Sequence, residues 1–304
     1  MFKEVIVEIS KNCNLNCIMC GYGAKYNKPH HFMDYALFVE ILKALNGNYE
    51  VLRLNGRGES TIHPQFIEFV ETAGELCPNK RTRLFTNMNY RDAAITKCLA
   101  ERSCETMISL DSIHKETLEK IRLGVNYERV MKNIDDLCQQ SRLTAVVFTM
   151  QPRNFGELQE MAEFVLAHNC HFFCNAVRNP EMEKEFRAIV EDNVDSLKET
   201  YDNLAGKFAK KKLMLNLPAQ IAGVTIRTEN AVKTCANCAR CPNAGKDLCI
   251  YYDGTVTPCG MFNPYELGNI KENTLQEILQ GEALAQFIKN QPKDEYCRNC
   301  QYIL

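Results

Sequence analysis

Ten of the chain's sixteen cysteines fall into three groups: Cys13, Cys17 and Cys20; then Cys235, Cys238, Cys241, Cys249 and Cys259; then Cys297 and Cys300. In a reducing compartment grouped thiols serve as metal ligands or reactive groups rather than as disulfides. The first group reads C-x3-C-x2-C in "KNCNLNCIMC" and offers three thiolates from one short loop. Three thiolates on a four-iron cubane leave one iron without a protein ligand. That iron can take up a small molecule, as the open position of a catalytic zinc does. Zinc binding and redox sensing are the competing chemistries for such a loop. Cys77, Cys98, Cys104, Cys138, Cys170 and Cys174 are scattered, and read as small apolar residues of a core.

Such a loop needs a frame. Strands are expected at Glu4–Ile9, Val51–Leu54, Arg83–Phe85, Thr106–Ser109, Ala145–Thr149 and His171–Ala176, all short and rich in β-branched or aromatic residues. Helical patterns lie between them. "DYALFVEILKALN" sets Leu37, Phe38, Ile41, Leu42 and Leu45 on one face, "PQFIEFVETAGEL" carries Pro64 in its first turn, and "NFGELQEMAEFVLAHN" follows the same rule. Six βα units in succession imply an α/β fold with a parallel sheet, curved into an incomplete (β/α)6 barrel. Chemistry in such folds gathers at the C-terminal ends of the strands, where the first cysteine loop falls.

With these elements in place, C-x3-C-x2-C after strand one resembles the radical S-adenosylmethionine (radical SAM) superfamily. The resemblance implies a 4Fe–4S cluster on Cys13, Cys17 and Cys20 whose open iron binds SAM, and reductive cleavage of SAM to a 5′-deoxyadenosyl radical. "LNGRGESTIHP" is similar to the family's Gly-Gly-Glu element, with Gly56, Gly58 and Glu59 facing the SAM amine. "FTNM" is similar to its Thr-Asn turn, with Thr86 and Asn87, and "ISLDSIHKETLEKIR" to its ribose segment, with Ser109 and Asp111. Arg122 matches an arginine near the SAM carboxylate. Met19 stands where the family more often has an aromatic ring against adenine, and Tyr22 is a second candidate for that contact.

The C-terminal pattern, Cys241, Gly254 and Cys259 as C-x12-G-x4-C followed by "YCRNC", resembles the twitch domain, the short form of the SPASM domain. This implies an auxiliary 4Fe–4S cluster on Cys241, Cys259, Cys297 and Cys300. The arrangement is similar to that of the radical SAM dehydrogenase which oxidises an aminocyclitol alcohol in butirosin biosynthesis. The chain stops four residues after Cys300, so a single auxiliary cluster is expected; Cys235, Cys238 and Cys249 are extra thiols, and because "CANCARCP" also resembles a ferredoxin-type run, ligand swapping or a second cluster stays open, with a zinc ribbon as the bland alternative. The expected organisation is a barrel over residues 1–212 and an auxiliary-cluster domain over residues 213–304.

The functional expectation is oxidation of an alcohol on a small polar substrate, the auxiliary cluster accepting an electron. Arg178, beyond the sixth strand, is the candidate for an anionic substrate group or an alkoxide. His30 and His31 read as solvated loop histidines. An external donor such as flavodoxin or ferredoxin is implied. A formal net charge of -2 with interspersed signs gives no case for nucleic acid. No apolar run of about 18 residues exists to span a bilayer, and no signal peptide opens the chain, so a cytoplasmic protein is expected. The alternatives are a peptide maturase, which twelve residues before Cys13 disfavour, a redox-neutral epimerase or carbon–carbon bond former, and a non-enzymatic iron–sulfur or zinc module.

Overall fold

The computed structural model describes residues 1–227, 241, 243–260 and 265–298. Its first half runs β1 (Phe2–Val7), β2 (Asn16–Cys17), α1 (Tyr35–Leu45), β3 (Tyr49–Arg53), α2 (Phe66–Leu76), β4 (Arg81–Thr86), α3 (Ala93–Glu101), β5 (Glu105–Ser109), α4 (Lys115–Ile121) and β6 (Arg122–Leu123). Next come α5 (Tyr127–Gln140), β7 (Thr144–Met150), α6 (Leu158–Ala167), β8 (His171–Ala176), α7 (Pro180–Glu191), α8 (Val194–Lys210), β9 (Leu215–Asn216), β10 (Gln220–Ile221) and β11 (Val224–Thr225). The C-terminal part holds β12 (Asp247–Ile250), β13 (Thr255–Thr257), β14 (Gly268–Asn269), α9 (Leu275–Gln280), α10 (Glu282–Asn290) and α11 (Glu295–Arg298). Each of the six expected strands is present, and a helix lies between each and the next of the six.

The chain forms two compact units. One comprises Met1–Cys13, Ala24–Leu84 and the described residues of Lys233–Leu304; the other comprises Asn14–Gly23 and the described residues of Phe85–Val232. In the first, the strand order is β14-β13-β12-β1-β3-β4. β1 lies parallel to both β12 and β3, and β3 parallel to β4, while β13 and β14 add antiparallel. In the second, β5-β7-β8-β9 run parallel throughout. β7, "TAVVFTM", is buried at six of its seven positions, as a parallel strand covered on both faces must be.

Local chemistry explains the helices. Asp34 caps α1 by accepting from the Ala36 and Leu37 amides, and Asn46 ends it in the left-handed region at φ 46°. The α1 residues buried are the five on the expected face. α2 starts at Phe66, so Pro64 stands before the helix rather than in its first turn. β1 also stops earlier than expected. Beyond Val7 the chain turns to pair with another segment, Ser10 bridging Phe32 and the Met33 amide donating to the Ile9 carbonyl at 2.9 Å.

The "DGTVTPC" hairpin forms, with Gly254 at φ 90° in its turn. It is not confined to a separate appendage: β12 continues the parallel edge of β1, Ile6 opposite Cys249 and Val7 opposite Ile250. Ile6, Cys249 and Tyr251 form a buried cluster there. No described helix is long and apolar enough to cross a membrane.

Candidate functional site

In the first unit the start of the cysteine loop is held by side-chain amides that imitate backbone. The Cys13 amide donates to Asn27 Oδ1 at 2.9 Å, and Asn27 Nδ2 donates back to the Cys13 carbonyl at 2.8 Å. One residue earlier, Asn12 Nδ2 donates to the Lys28 carbonyl and its Oδ1 accepts from the Lys28 amide, at 2.9 and 3.0 Å. Sequence reading missed both asparagines. Their signal is that an asparagine beside a loop cysteine offers one donor and one acceptor, like a peptide group.

The Gly56–Glu59 turn packs on the same stretch. A Cβ at Gly58 would lie 2.3 Å from the Asn12 carbonyl oxygen, and one at Gly56 2.4 Å from Glu8 Oε2, so neither position admits a side chain. Glu8, fully buried, accepts from the Arg57 amide at 2.7 Å, from Nε at 2.8 Å and from Nη2 at 2.6 Å. Arg57 in turn lies 4.0 Å above the Tyr251 ring. Glu8 therefore fixes the turn to β1 through both backbone and guanidinium. The Glu59 amide donates to the Asn12 carbonyl at 2.8 Å, while Glu59 Oε1 accepts from the Thr61 hydroxyl at 2.7 Å. That oxygen of the expected SAM-amine acceptor is thus committed within the turn.

In the second unit, β2 and β6 pair antiparallel, which sets Cys17 opposite Arg122. Arg122 is 7% exposed, and its Nη2 lies 2.7 Å from Oδ2 of fully buried Asp111. Burial raises the Cys17 thiol above its ordinary pKa, while the Arg122 charge favours the thiolate. Cys20 is exposed; its amide donates to the Cys17 carbonyl at 3.1 Å, and its Sγ accepts from the Tyr22 amide at 3.4 Å. Asn87 Nδ2 donates to Asn14 Oδ1 at 2.8 Å and Asn14 Nδ2 to the Asn89 carbonyl at 3.2 Å, which ties the loop to the end of β4.

Asp111 departs from its expected setting. Its Oδ1 accepts from the Thr149 amide at 2.8 Å and its other oxygen meets Arg122, so the structure places it beneath the arginine rather than open beside Ser109. Ser109, Met19 and Tyr22 are half-buried. Arg178 is exposed in the link between β8 and α7. His31 is 5% exposed, so it is not a solvated loop residue.

Of the C-terminal cysteines, Cys241 donates its amide to Gln291 Oε1 at 2.9 Å, Cys259 accepts at its carbonyl from the Thr257 hydroxyl at 3.1 Å, and the Cys297 amide donates to Asp294 Oδ1 at 2.9 Å. Cys249 is fully buried in β12, and burial raises its thiol. Cys235, Cys238 and Cys300 lie outside the described residues.

The donor chemistry fits an iron–sulfur cluster. Among the described residues no three His, Cys, Asp or Glu side chains converge on one metal ion, and none of the described cysteines forms a disulfide. A cubane asks for neither; each thiolate binds its own iron. The loop cysteines are half-buried or exposed, so their sulfurs are accessible.

Comparison with known proteins agrees. The model of the radical SAM superfamily matches residues 7–165, and that of SPASM, an iron–sulfur cluster-binding domain, matches residues 238–301, which takes in Cys238 as well as the four expected ligands. The tungsten-containing aldehyde ferredoxin oxidoreductase cofactor-modifying protein of Pyrococcus furiosus is 25% identical over 94% of this chain and 83% of its own. SuiB of Streptococcus suis, bound to S-adenosylmethionine, superposes with a TM-score of 0.70 at 14% identity, over 99% of this chain and 71% of its own. For anSMEcpe with bound AdoMet the TM-score is 0.71 at 18% identity, over 99% and 84%. BtrN in complex with AdoMet and 2-DOIA aligns over 99% and 93% at 16% identity, with a TM-score of 0.54.

Proposed function

From the chain's membership of the radical SAM superfamily, with its 4Fe–4S cluster, SAM and C-terminal SPASM iron–sulfur domain, we propose that it oxidises an alcohol on a small polar substrate. The alcohol carbon gives up a hydrogen atom, its hydroxyl a proton, and one electron leaves, so that a carbonyl remains. When bound, SAM and its cluster supply the primary radical, and the auxiliary cluster supplies an electron acceptor.

The observation that carries the radical chemistry is the buried Arg122–Asp111 pair opposite Cys17. In this reading Arg122 binds the SAM carboxylate, and Asp111 is a positioning residue that orients it. The carbonyls of the Gly56–Glu59 turn and the second Glu59 oxygen receive the SAM amine. Ser109 holds a ribose hydroxyl, Met19 and Tyr22 flank adenine, and Asn87 holds the loop. Cys13, Cys17 and Cys20 are the SAM-cluster ligands, and Cys241, Cys259, Cys297 and Cys300 the auxiliary ones. Arg178 receives an anionic group or the developing alkoxide. A flavodoxin or ferredoxin in the cytoplasm is the electron donor. Support for a small-molecule substrate comes from the Pyrococcus furiosus relative, whose stated role is modification of a cofactor, and from BtrN, held with 2-DOIA.

Peptide maturation is the second reading. It is favoured by the TM-scores of 0.70 and 0.71 to SuiB and anSMEcpe, exceeding the 0.54 to BtrN, and by structures of both with peptides bound. Anaerobic incubation with SAM, dithionite and a panel of polyols or precursor peptides separates the two. A ketone or aldehyde accompanied by stoichiometric 5′-deoxyadenosine supports the first reading; a modified peptide with unreacted polyols replaces it.

A further inference from the structure

Basic groups gather where β1 and β12 end. The Lys11 amide donates to the His31 carbonyl at 2.9 Å, the His31 amide to the Lys28 carbonyl at 3.1 Å, and Lys28 is fixed at both its amide and its carbonyl by Asn12. Lys11, Lys28 and His31 therefore sit on one rigid piece of backbone. Tyr252, just after β12, completes it: its ring lies 5.2 Å from that of His31, with Lys11 Nζ 6.0 Å from its centroid, and the His30 ring stands edge-on to His31 at 4.8 Å.

Nδ1 of His31 is buried and has no hydrogen-bond partner among the described residues. A buried imidazole nitrogen left in this state is destabilising unless something binds it. Burial first, then the charges of Lys11, His30, Lys28 and Arg57, hold the His31 pKa below its usual value, so positive potential converges on this ring. Two carboxylates, Asp253 and Glu8, act on the neighbouring Tyr252, but the charges acting on His31 itself are those of the four cations. Glu8 is taken by Arg57, and Asp253 Oδ1 accepts from the Thr255 amide at 3.1 Å.

We propose that Lys11, Lys28, His30 and His31 form a binding site for a phosphate or diphosphate group of the substrate. As a statement about the substrate it rests on the proposed function; as a statement about anion binding it does not. The donors decide the ligand's shape. Arg57, whose planar fork matches a carboxylate, is already spent bidentately on Glu8. What remains are ammonium and imidazole N–H groups, point donors suited to a tetrahedral polyanion carrying about two charges per phosphate.

The test is calorimetric titration of the reconstituted, SAM-loaded holoenzyme with pyrophosphate, anaerobically, beside the Lys28→Ala and His31→Asn variants at matched iron content. Exposed Lys28 is replaced without a packing loss; His31→Asn keeps a polar group in the buried position. Binding weakened at least tenfold in both variants, with oxalate competing at least tenfold less well than pyrophosphate, is the expected result. No pyrophosphate binding, equal affinity in the variants, or equal competition by planar oxalate overturns the site. SAM cleavage by the unaltered enzyme is measured separately. Its absence defeats the proposed function while leaving a positive titration to stand for the anion site.

Discussion

The second compact unit holds cysteines in two settings, and the difference lies in what surrounds the sulfur. Cys17 and Cys20 stand in a loop, half-buried and exposed, one opposite a buried arginine and the other receiving an amide proton at its sulfur. Cys104 and Cys174 are buried to 0% and 1% exposure. Burial raises the Cys174 thiol strongly, and the Asp111 charge raises it further. The same aspartate holds a cation opposite Cys17, while its own charge raises both thiols, adding to burial at Cys17 and at Cys174 alike. A thiolate is favoured where a cation and solvent reach the sulfur, and a thiol stays packing material where neither does.

The sharpest way to break this contrast is to remove the loop sulfurs. Replacing Cys13, Cys17 and Cys20 together with Ala should eliminate about four irons per chain by the ligand logic of a cubane and abolish 5′-deoxyadenosine formation. Replacing Cys104 and Cys174 with Ala should leave the iron count as it is. Loss of iron from the core variant, or SAM cleavage surviving in the loop variant, would show that the two sets had been assigned the wrong way round.

Removing Asp111 tests the shared element. Asp111→Ala leaves Arg122 buried without its counter-charge, and breaking a buried pair in this way costs about 3–5 kcal/mol. Urea denaturation of the apoprotein reads that loss. A change below about 1 kcal/mol, the value of an exposed pair, would mean that Arg122 has other compensation and that Asp111 does not position it.

A smaller effect is expected from Cys174→Ser. It exchanges a weakly polar thiol for a hydroxyl at a fully buried position, at a cost of about 1–3 kcal/mol where the hydroxyl gains no partner. Cys20→Ser at the exposed position should leave apoprotein stability within about 0.5 kcal/mol. Equal denaturation midpoint shifts for the two variants would remove the distinction between core and loop.

Smallest in stability, though visible chemically, is the expectation for Cys138 and Cys170. Their sulfurs lie 3.2 Å apart, with the Thr144 hydroxyl 3.0 Å from Cys170 Sγ. The hydrogen bond from Cys138 favours the Cys170 thiolate, whose pKa falls to about 7. Hydrogen peroxide should join them, two thiols and one peroxide giving a disulfide and two waters, while Cys104 and Cys174 stay reduced. Non-reducing peptide mapping checks this. A peptide linking Cys174 to another cysteine instead would overturn the ranking.

Much of the frame was legible because it depends on short-range regularities. Alternation and β-branching marked the strands, and one-face spacing marked α1 and the helices after it. The scattered cysteines were readable as core, and five of the six are buried; Cys138, the exception, lies on the partly solvated side of α5. Where reading failed, the missing information was a partner. His31 reads as a solvated loop residue because Tyr252, whose ring lies against it, is more than two hundred residues away in the chain.

Local sequence carries the thiol spacing C-x3-C-x2-C, the glycines at 56 and 58, and the pattern that the superfamily model matches. These are local, since a spacing of three or four residues is set by the backbone whatever the rest of the chain does. Tertiary structure decided the partners. Glu8 finds Arg57 at a separation of 49 residues, Asp111 meets Arg122, and β12 aligns beside β1 from the far end of the chain. A carboxylate's partner is not encoded in its neighbours. It is selected when folding removes water from the charge and makes every unpaired alternative more costly.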